Sequence, residues 1–322
     1  MGSASMQVKT ILVLLPIKEE QKHVLEQEAP DANYVYTTAD VLTVGTLQRA
    51  DIIIGNPPPE MLRDAPKLQW IQLNSAGSDA YVKNGVLKAD VLLTNATGAY
   101  GLAISEHMIG MLLQLIKKLH IYRNNQKSHL WQDEGEVKSI YHSKVLIIGL
   151  GNIGGEFAKK LKAFGAYTIG VKRTFTAKPD FIDELYVQDK IDELLPLADV
   201  VAITIPSTKE TYKMFSLERL NRMKKGAVLL NVGRGDVVDT EALCDAVESG
   251  HLSGAGLDVT DPEPLPANHR LWDIENMILT PHISGGYHIP ETLEAIIDIS
   301  AGNLKRFMAG EKLVNLVNFK QK

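Results

Sequence analysis

Three polar residues with complementary chemistry follow predicted strands in the C-terminal half of the chain: Arg234, Glu263 and His282. A histidine can exchange a proton near neutral pH, and a neighbouring carboxylate favours its charged imidazolium form. An arginine binds a carboxylate through two parallel hydrogen bonds, a geometry that lysine does not offer. The set is therefore suited to proton transfer on a small substrate that carries a carboxylate.

Each of these three residues also has an ordinary structural explanation. Arg234 could lie in a surface turn, Glu263 could be a solvated charge in a proline-rich loop, and His282 could be a histidine with its hydrogen bonds satisfied. Their joint placement favours the functional interpretation, because the carboxyl ends of strands in a doubly wound sheet converge on the edge where ligands bind.

That sheet is indicated by a glycine-rich turn between a strand and a helix. The apolar strand at 145–148 is followed by Gly149-Leu-Gly-Asn-Ile-Gly154, which has the spacing G-x-G-x-x-G. Gly149 allows a tight turn, Gly151 lets the backbone approach a pyrophosphate, and Gly154 lets the next helix pack closely on the strand. A helical pattern and a second strand at 167–171 follow, so the sequence predicts a dinucleotide-binding unit rather than an isolated turn.

The second strand ends in a basic turn, Lys172-Arg173-Thr174. Folds specific for NAD usually carry an aspartate or glutamate there, which binds the ribose 2′-hydroxyl. Two cations and a hydroxyl are suited to a 2′-phosphate instead. We therefore predict a preference for NADP(H), with NAD(H) left open as a second cofactor; the alternative is a solvated basic turn.

Strands alternate with helices along the chain, which predicts an α/β protein with two doubly wound parallel-sheet domains. In the first domain, a strand at 68–73 opens into the loop 74–79, whose small residues expose backbone N–H groups suited to a carboxylate. A simple polar turn is an equal alternative for that loop. The other predicted strands lie at 11–15, 34–36, 51–55, 91–94, 199–205, 227–232, 256–259 and 277–280, and predicted helices at 41–48, 191–195, 217–223, 240–249 and 290–310.

A long apolar helix is predicted at 101–119, and it contains Glu106 and His107. Such a pair is typical of packing and hydrogen bonding, so we assign it no catalytic role. The polar stretch 127–140 carries Trp131 and is expected to be an exposed excursion that contacts a partner subunit. Cys244 falls in a helical pattern and is expected to be a buried structural thiol.

The composition is that of a soluble globular protein, with 322 residues, 45% hydrophobic and 23% charged. A net charge of −5 favours neither nucleic acid nor an anionic membrane as a partner, and no apolar run approaches the length of a spanning helix. A single cysteine suits a reducing compartment, so we expect a cytoplasmic protein. Residues 1–5 are typical of an expression scar before a native Met6, with no secretory signal.

Four stretches together resemble the D-isomer-specific 2-hydroxyacid dehydrogenase family, and the resemblance covers essentially the whole chain. They are Gly149-Leu-Gly-Asn-Ile-Gly154, Asn231-Val-Gly-Arg-Gly235, Gly256-Leu-Asp-Val-Thr-Asp-Pro-Glu-Pro264 and Thr280-Pro-His-Ile-Ser284. The resemblance implies a Rossmann coenzyme domain, residues 101–289, inserted in a flavodoxin-like substrate domain, residues 6–100 and 290–322. It also implies an active site in the cleft between the domains, and a homodimer.

The resemblance further implies a role for each matching residue. Arg234 resembles the arginine that holds the substrate's carboxylate and carbonyl, His282 the acid/base histidine, and Glu263 its carboxylate partner. The implied substrate-binding residues are Ser75, Ala76 and Gly77, which resemble a carboxylate-binding loop, and Tyr100. The expected cofactor-binding residues are Gly149, Gly151, Asn152, Ile153, Gly154, Lys172, Arg173, Thr174, Ile205, Pro206, Val232, Gly233, Gly285 and Asp258, the last of which would orient the nicotinamide amide.

The function predicted on these grounds is the NADP(H)-preferring reduction of a small 2-oxo acid to the D-2-hydroxy acid. The loops resemble those of glyoxylate and hydroxypyruvate reductases and of relatives that act on bulkier 2-oxo acids. A formate dehydrogenase is disfavoured, because those relatives carry glutamine where Glu263 stands. A phosphoglycerate dehydrogenase and a dinucleotide-sensing corepressor-like module stay open as alternatives, and no metal site is predicted.

Overall fold

The computed structural model describes residues 8–318, which divide into two compact units. One unit contains the described residues up to Tyr100 together with those from Tyr287 onward, and the other is Gly101–Gly286. The chain therefore leaves the first unit once and returns to it once. The return lies at Tyr287 rather than at the expected position 290. The interpretation of residues 1–5 as an expression scar concerns a segment outside the described residues.

Helices and strands alternate through both units. In chain order they are β1 Thr10–Val13, α1 Glu19–Glu26, β2 Asn33–Tyr36, α2 Val44–Leu47, β3 Ile52–Ile54, β4 Trp70–Gln72, β5 Leu92–Thr94, α3 Gly101–Ile116, α4 Leu119–Lys127, β6 Lys144–Ile148, α5 Asn152–Ala163, β7 Tyr167–Lys172, β8 Glu184–Val187, α6 Ile191–Leu194, β9 Val200–Ile203, α7 Leu217–Arg222, β10 Val228–Asn231, α8 Thr240–Glu248, β11 Gly254–Leu257, β12 Met277–Leu279 and α9 Pro290–Met308. Short 3₁₀ turns lie at Ala39–Val41, Pro59–Asp64, Gln188–Lys190, Leu195–Leu197, Gly235–Val237 and Arg270–Asp273.

The first unit is a five-stranded parallel sheet in the order β2-β1-β3-β4-β5, the order of flavodoxin-like folds. Strands β1 and β3 consist almost wholly of buried aliphatic residues, as strands covered on both faces require. Helix α9 joins this sheet through specific contacts: Phe307 stacks on the buried ring of Trp70 at 5.3 Å, and the Asn303 side chain donates to Gln72 Oε1 at 2.8 Å. These contacts explain why a segment so late in the chain belongs to the first unit.

The second unit is a seven-stranded parallel sheet in the order β12-β11-β10-β9-β6-β7-β8. Read from β8, this is the doubly wound dinucleotide-binding order with β12 added at one edge. The direction of winding reverses between β6 and β9, so ligands are expected beyond the carboxyl ends of these two strands. Both units are thus parallel-sheet α/β domains, as the alternation of strand and helix patterns predicts.

The structure corrects several details of the sequence-based elements. The expected helix at 101–119 ends at Ile116, because Lys118 adopts a left-handed conformation with φ of 56°, and the unpredicted helix α4 follows. The half-buried edge strand β8 was not predicted. The expected helix at 41–48 is reduced to α2 after a 3₁₀ turn. Strand β11 lies two residues earlier than expected, so Asp258 follows it directly.

Two other expectations concern side-chain exposure in the second unit. Cys244 is buried within α8, and Trp131 is fully exposed in a stretch, 130–139, that has no regular secondary structure. Among residues 8–318, no helix combines the length and the apolar character needed to cross a membrane. The same residues contain no group of three or more histidine, cysteine or acidic side chains placed to hold a metal ion.

Candidate active site and dinucleotide site

The glycine-rich turn connects β6 to α5 in a conformation that needs glycine at two positions. Gly149 has φ of +99°, and a β-carbon there would lie 2.6 Å from Ile205 Cγ2. A β-carbon on Gly154 would lie 2.1 Å from the carbonyl oxygen of Gly149. Real side chains do not approach so closely, so the helix can pack against the turn only when Gly154 has no side chain.

Gly151 is different, because a β-carbon there would meet no atom within 4 Å. The residue is exposed and caps the N-terminus of α5, where the first backbone N–H groups of a helix have no partner within the helix. A β-carbon on Gly151 would therefore project into open space in front of those donors. This is the arrangement that binds the pyrophosphate of a dinucleotide, and Asn152 and Ile153 supply the next N–H groups.

The basic turn begins where β7 ends. Lys172 is the last residue of the strand, half-buried, and its Nζ donates a hydrogen bond to Thr176 Oγ1 at 3.1 Å. Arg173 and Thr174 follow it and are exposed. The three residues expected to meet a 2′-phosphate therefore differ in the structure, since Lys172 is held by its own loop whereas the Arg173 side chain extends into solvent.

The remaining expected cofactor residues follow neighbouring strands of the same sheet. Ile205 and Pro206 come after β9, and Val232 and Gly233 come directly after β10. A β-carbon on Gly233 would lie 2.4 Å from the carbonyl oxygen of Ile205, so these two loops are in close contact. Gly285 lies after β12 and is half-buried. The structure thus brings these residues to the edge that the glycine-rich turn occupies.

The loop that carries Arg234 is fixed by its own backbone contacts. The Asn231 side chain donates to the Arg234 carbonyl at 2.9 Å and accepts from the Gly233 N–H at 3.0 Å. A β-carbon on Gly235 would lie only 1.9 Å from the carbonyl oxygen of Thr260, so this loop lies against the one that follows β11. The Arg234 side chain is half-exposed, and Nη1 donates to the Gly233 carbonyl at 2.7 Å.

His282 and Glu263 form a hydrogen-bonded pair, with 2.8 Å between Nδ1 and Oε1. An ionised carboxylate can only accept, so the histidine carries a proton on Nδ1. The other ring nitrogen, Nε2, is then the one that can exchange a proton with a substrate. The pair is accessible, since 48% of the histidine side chain and 39% of the glutamate side chain are exposed.

The backbone of His282 has a left-handed conformation, with φ of 53°, which is unusual for a residue other than glycine. Asp258 supports this conformation through hydrogen bonds to the backbone N–H groups of residues 282–284. Its main-chain oxygen accepts the N–H of His282 at 2.8 Å, and its carboxylate accepts the N–H groups of Ile283 at 3.0 Å and of Ser284 at 3.1 Å. The Ser284 hydroxyl also donates to this carboxylate, which is 1% exposed.

Three residues near this carboxylate, Thr280, Ser284 and His107, were not assigned to the site from the sequence. Thr280 Oγ1 donates to Asp258 Oδ1 at 2.6 Å, and the same hydroxyl lies 3.0 Å from Nε2 of His107. His107 is therefore a hydrogen-bonding residue of α3, whereas its neighbour Glu106 is exposed. The presence of Thr280 and Ser284 in the Thr-Pro-His-Ile-Ser stretch was a signal for the network, and nothing in the local sequence connects His107 to it.

The expected substrate loop lies in the first unit, where two asparagines hold it. Asn56 donates through Nδ2 to Ser75 Oγ at 3.1 Å, and Ser75 Oγ donates to the Gly77 carbonyl at 2.6 Å. Asn95 donates to the Ala76 carbonyl at 2.8 Å. The loop is half-exposed and is consequently a fixed turn rather than a loose connection.

Tyr100 is almost fully buried in the first unit, with 7% of the residue exposed. Its hydroxyl donates to the carbonyl of Asn74, which begins the substrate loop. Burial raises the pKa of Tyr100 well above the ordinary tyrosine value. These contacts give the ring a role in supporting the loop, and its expected contact with substrate stays a prediction.

The model of the family "D-isomer specific 2-hydroxyacid dehydrogenase, NAD binding domain" matches residues 109–284, which fall within the second unit. The glyoxylate reductase of Thermofilum pendens is 34% identical over 266 residues, which cover 80% of this chain and 77% of that protein. The chain belongs to the D-isomer specific 2-hydroxyacid dehydrogenase family. It is accordingly an oxidoreductase with a domain for a nicotinamide cofactor.

Solved structures of dehydrogenases in this family have the same fold. A family protein from Aeromonas salmonicida superposes with a TM-score of 0.87 and 31% identity, over 98% of this chain and 100% of that one. A family dehydrogenase from Xanthobacter autotrophicus, solved in complex with NADPH and MES, gives a TM-score of 0.82 and 26% identity, over 98% and 99% of the two chains. The similarity therefore extends over both units of the fold.

Proposed function

We propose that this dehydrogenase reduces a small 2-oxo acid to the D-2-hydroxy acid and prefers NADPH. The observation that carries the proposal is the 2.8 Å hydrogen bond between His282 and Glu263, at the end of the sheet that bears the glycine-rich turn. The glyoxylate reductase name of the relative from Thermofilum pendens supports a small 2-oxo acid as substrate.

In the proposed reaction each residue of the pair has one task. Glu263 accepts the Nδ1–H of His282 at 2.8 Å and so fixes the orientation of the imidazole. Nε2 of His282 then donates a proton to the substrate's carbonyl oxygen as this becomes an alkoxide. The bound nicotinamide supplies the hydride. Arg234 binds the substrate's carboxylate and polarises the carbonyl.

The two units are proposed to divide the binding tasks. The unit Gly101–Gly286 would bind the cofactor, with the pyrophosphate at Gly151 and the N-terminus of α5. The other unit would be the substrate domain, with the fixed turn at Ser75–Gly77 presenting its N–H groups to the carboxylate. A homodimer and a cytoplasmic location stay predictions from the sequence.

The preference for NADPH is proposed to depend mainly on Arg173. Its side chain is exposed at the end of β7, where the 2′ position of the ribose lies in folds of this kind. Lys172 would contribute less, because its ammonium group is already bonded to Thr176. The NADPH bound in the relative from Xanthobacter autotrophicus supports this choice.

The test is a cofactor-oxidation assay of the purified protein. NADPH and NADH are each supplied with glyoxylate, hydroxypyruvate, pyruvate, 2-oxoisovalerate and phenylpyruvate. We expect turnover with NADPH well above that with NADH, and a chiral assay of the product should give the D isomer. Equal or faster turnover with NADH would contradict the role of Arg173. Binding of either cofactor without turnover would favour the dinucleotide-sensing alternative.

A pair of variants separates the catalytic assignment from general damage. His282→Ala should lower kcat by about 10²- to 10⁴-fold, the usual contribution of a general acid, while cofactor binding is retained. His142→Ala replaces an exposed histidine of the same unit that also has a positive φ, 62°, and it should leave kcat unchanged. Turnover of His282→Ala at the level of the control would remove His282 from the mechanism.

A further inference from the structure

His107 lies at one end of a chain of hydrogen bonds that runs through Thr280 and the carboxylate of Asp258 to the backbone N–H groups of the two residues that follow His282. Its Nε2 is 3.0 Å from Thr280 Oγ1, and that hydroxyl is 2.6 Å from Asp258 Oδ1. The direct distance from Nε2 to the same carboxylate oxygen is 4.0 Å. The carboxylate of Asp258 in turn accepts the N–H groups of Ile283 and Ser284, and the main-chain oxygen of Asp258 accepts the N–H of His282.

The direction of each hydrogen bond in this chain follows from the number of protons available. The carboxylate of Asp258 receives four donors and has no proton to give. The single hydroxyl proton of Thr280 must therefore point at Asp258, which leaves the oxygen of Thr280 as an acceptor. It follows that Nε2 of His107 carries a proton and donates it to Thr280.

Fixing the carboxylate in this way matters because the two N–H groups that it accepts belong to Ile283 and Ser284, which directly follow the acid/base residue. His282 has a left-handed backbone conformation, which few residues adopt without support from their surroundings. Rotation of the Asp258 carboxylate would release the N–H groups of the two residues after His282 and so allow the imidazole to move relative to Glu263. Thr280 holds one carboxylate oxygen, and His107 holds Thr280.

We propose that His107 is a positioning residue for the acid/base step, acting through Thr280 and Asp258 on the orientation of His282. The proposal rests on the proposed reductase function. His107 does not touch the reacting atoms in this account; its task is to keep the hydroxyl of Thr280 directed at Asp258. The network thus connects helix α3 to the loop that follows β12 within a single unit.

The kinetic test compares two substitutions of His107. Phenylalanine fills a similar volume and removes the donor, whereas glutamine can place an N–H near the position of Nε2. We expect His107→Phe to lower kcat by about 10- to 100-fold, the effect of a small misplacement of a catalytic group, with the Kd for cofactor nearly unchanged. His107→Gln should recover most of the lost turnover.

A matched control is available in the same unit. His120 is a histidine of α4 that is 8% exposed. Its ring nitrogens are hydrogen-bonded to the Gln114 carbonyl at 3.1 Å and to Asn276 Oδ1 at 3.2 Å, which are not members of the chain described above. His120→Phe should lower the melting temperature without changing kcat in the folded protein. An equal fall in kcat for both phenylalanine variants would show general destabilisation and overturn the proposal.

A double-substitution cycle tests whether His107 acts through Thr280. Thr280→Val removes the hydroxyl, so His107→Phe should have little further effect on kcat in that background, because neighbours in one network are not additive. If the losses of kcat in the two single variants add fully in the double variant, His107 does not act through Thr280 and the proposal is overturned.

A measurement that does not depend on turnover separates this proposal from the proposed function. Nitrogen-15 NMR of the histidine rings should show His107 with a proton on Nε2 near neutral pH. In Thr280→Val this N–H proton has no acceptor, so it should exchange with solvent faster than in the wild type. A neutral ring protonated on Nδ1 alone would overturn the network even if the enzyme is active. A correct ring state in a protein that reduces no 2-oxo acid would overturn the function and leave the network in place.

Discussion

Replacing Gly154 by alanine tests the requirement for close packing at the dinucleotide turn. The new β-carbon would lie 2.1 Å from the carbonyl oxygen of Gly149, 3.0 Å from Thr204 Oγ1 and 3.1 Å from Ile147 Cγ2. The first of these atoms belongs to the backbone, so no side-chain rotation can relieve the overlap. Overpacking of this kind lowers the free energy of unfolding by about 3 kcal/mol at the upper end of its usual range. Alanine is the better helix former by about 1 kcal/mol, so the net loss for Gly154→Ala is about 2 kcal/mol.

The next residue provides a matched control. Gly155 is also buried within α5, but a β-carbon there would lie 3.8 Å from Cζ of Phe181, an ordinary contact. Gly155→Ala should therefore gain about 1 kcal/mol in helix propensity without a clash. The two variants should differ by roughly 3 kcal/mol in the free energy of unfolding, although each adds a single methyl group at adjacent positions.

Thermal unfolding followed by circular dichroism is the assay. A difference of this size corresponds to about 6–12 °C between the melting temperatures, at 2–4 °C per kcal/mol for units of this size. Cofactor titration should show weaker binding only for Gly154→Ala, because the turn must open to accommodate the methyl group. If the two variants melt together, close packing is not what requires glycine at position 154.

Three further predictions concern single side chains. Arg173→Ser should weaken NADPH binding by about 10- to 100-fold, the loss of one charge-assisted hydrogen bond, and leave NADH binding unchanged in a fluorescence titration. Arg234→Lys should raise the KM for 2-oxo acids, measured at saturating cofactor, because the planar two-point contact is lost. Burial by itself raises the pKa of Asp183, but the hydrogen bonds from Lys162 and Thr168 together lower it by more. The pKa of this carboxyl is therefore below its ordinary value. Asp183→Asn should therefore destabilise the protein at neutral pH, and its difference from the wild type in urea unfolding should shrink as the pH falls below about 3.9.

Each of these predictions has a distinct contrary result. Equal weakening of NADPH and NADH by Arg173→Ser would indicate damage to the whole dinucleotide site. An unchanged KM in Arg234→Lys would show that Arg234 does not bind the substrate's carboxylate. A difference in stability for Asp183→Asn that stays constant between pH 7 and pH 3 would show that the carboxylate contributes through packing rather than charge.

The features that sequence predicts well are those whose causes are local. The turn from Gly149 to Gly154 is defined by residues that are adjacent in the chain, and the structure shows the close contacts that require glycine. The position of strand β11 was predicted two residues too late, because its residues, Gly254–Leu257, include two glycines and are not typical of a strand. Glycine is required at two of them because α3 lies close by: a β-carbon on Gly254 would be 3.0 Å from Leu115 Cδ2, and one on Gly256 would be 3.1 Å from Met111 Cβ. These contacts are not visible in a local pattern.

The candidate site shows the same distinction. His282 and Glu263 could be paired from the sequence because both follow strands of one sheet, whereas His107 is 173 residues from Thr280 in the chain. The basic turn was predicted from residue types, as two cations and a hydroxyl suited to a 2′-phosphate, but the bond from Lys172 to Thr176 depends on how the loop folds back. Composition and spacing identify which residues can do chemistry, and tertiary contacts decide which of them are occupied elsewhere.

The division of the chain at Tyr100 and Tyr287 has a consequence for protein synthesis. The unit Gly101–Gly286 is continuous, so it can fold as soon as its last residues leave the ribosome. The first unit begins earlier but must wait, because Trp70 receives Phe307 and Gln72 receives Asn303 only when α9 has been made. The nascent chain should therefore acquire a folded dinucleotide unit first, while the five strands on its N-terminal side lack helix α9 until that helix has been synthesised.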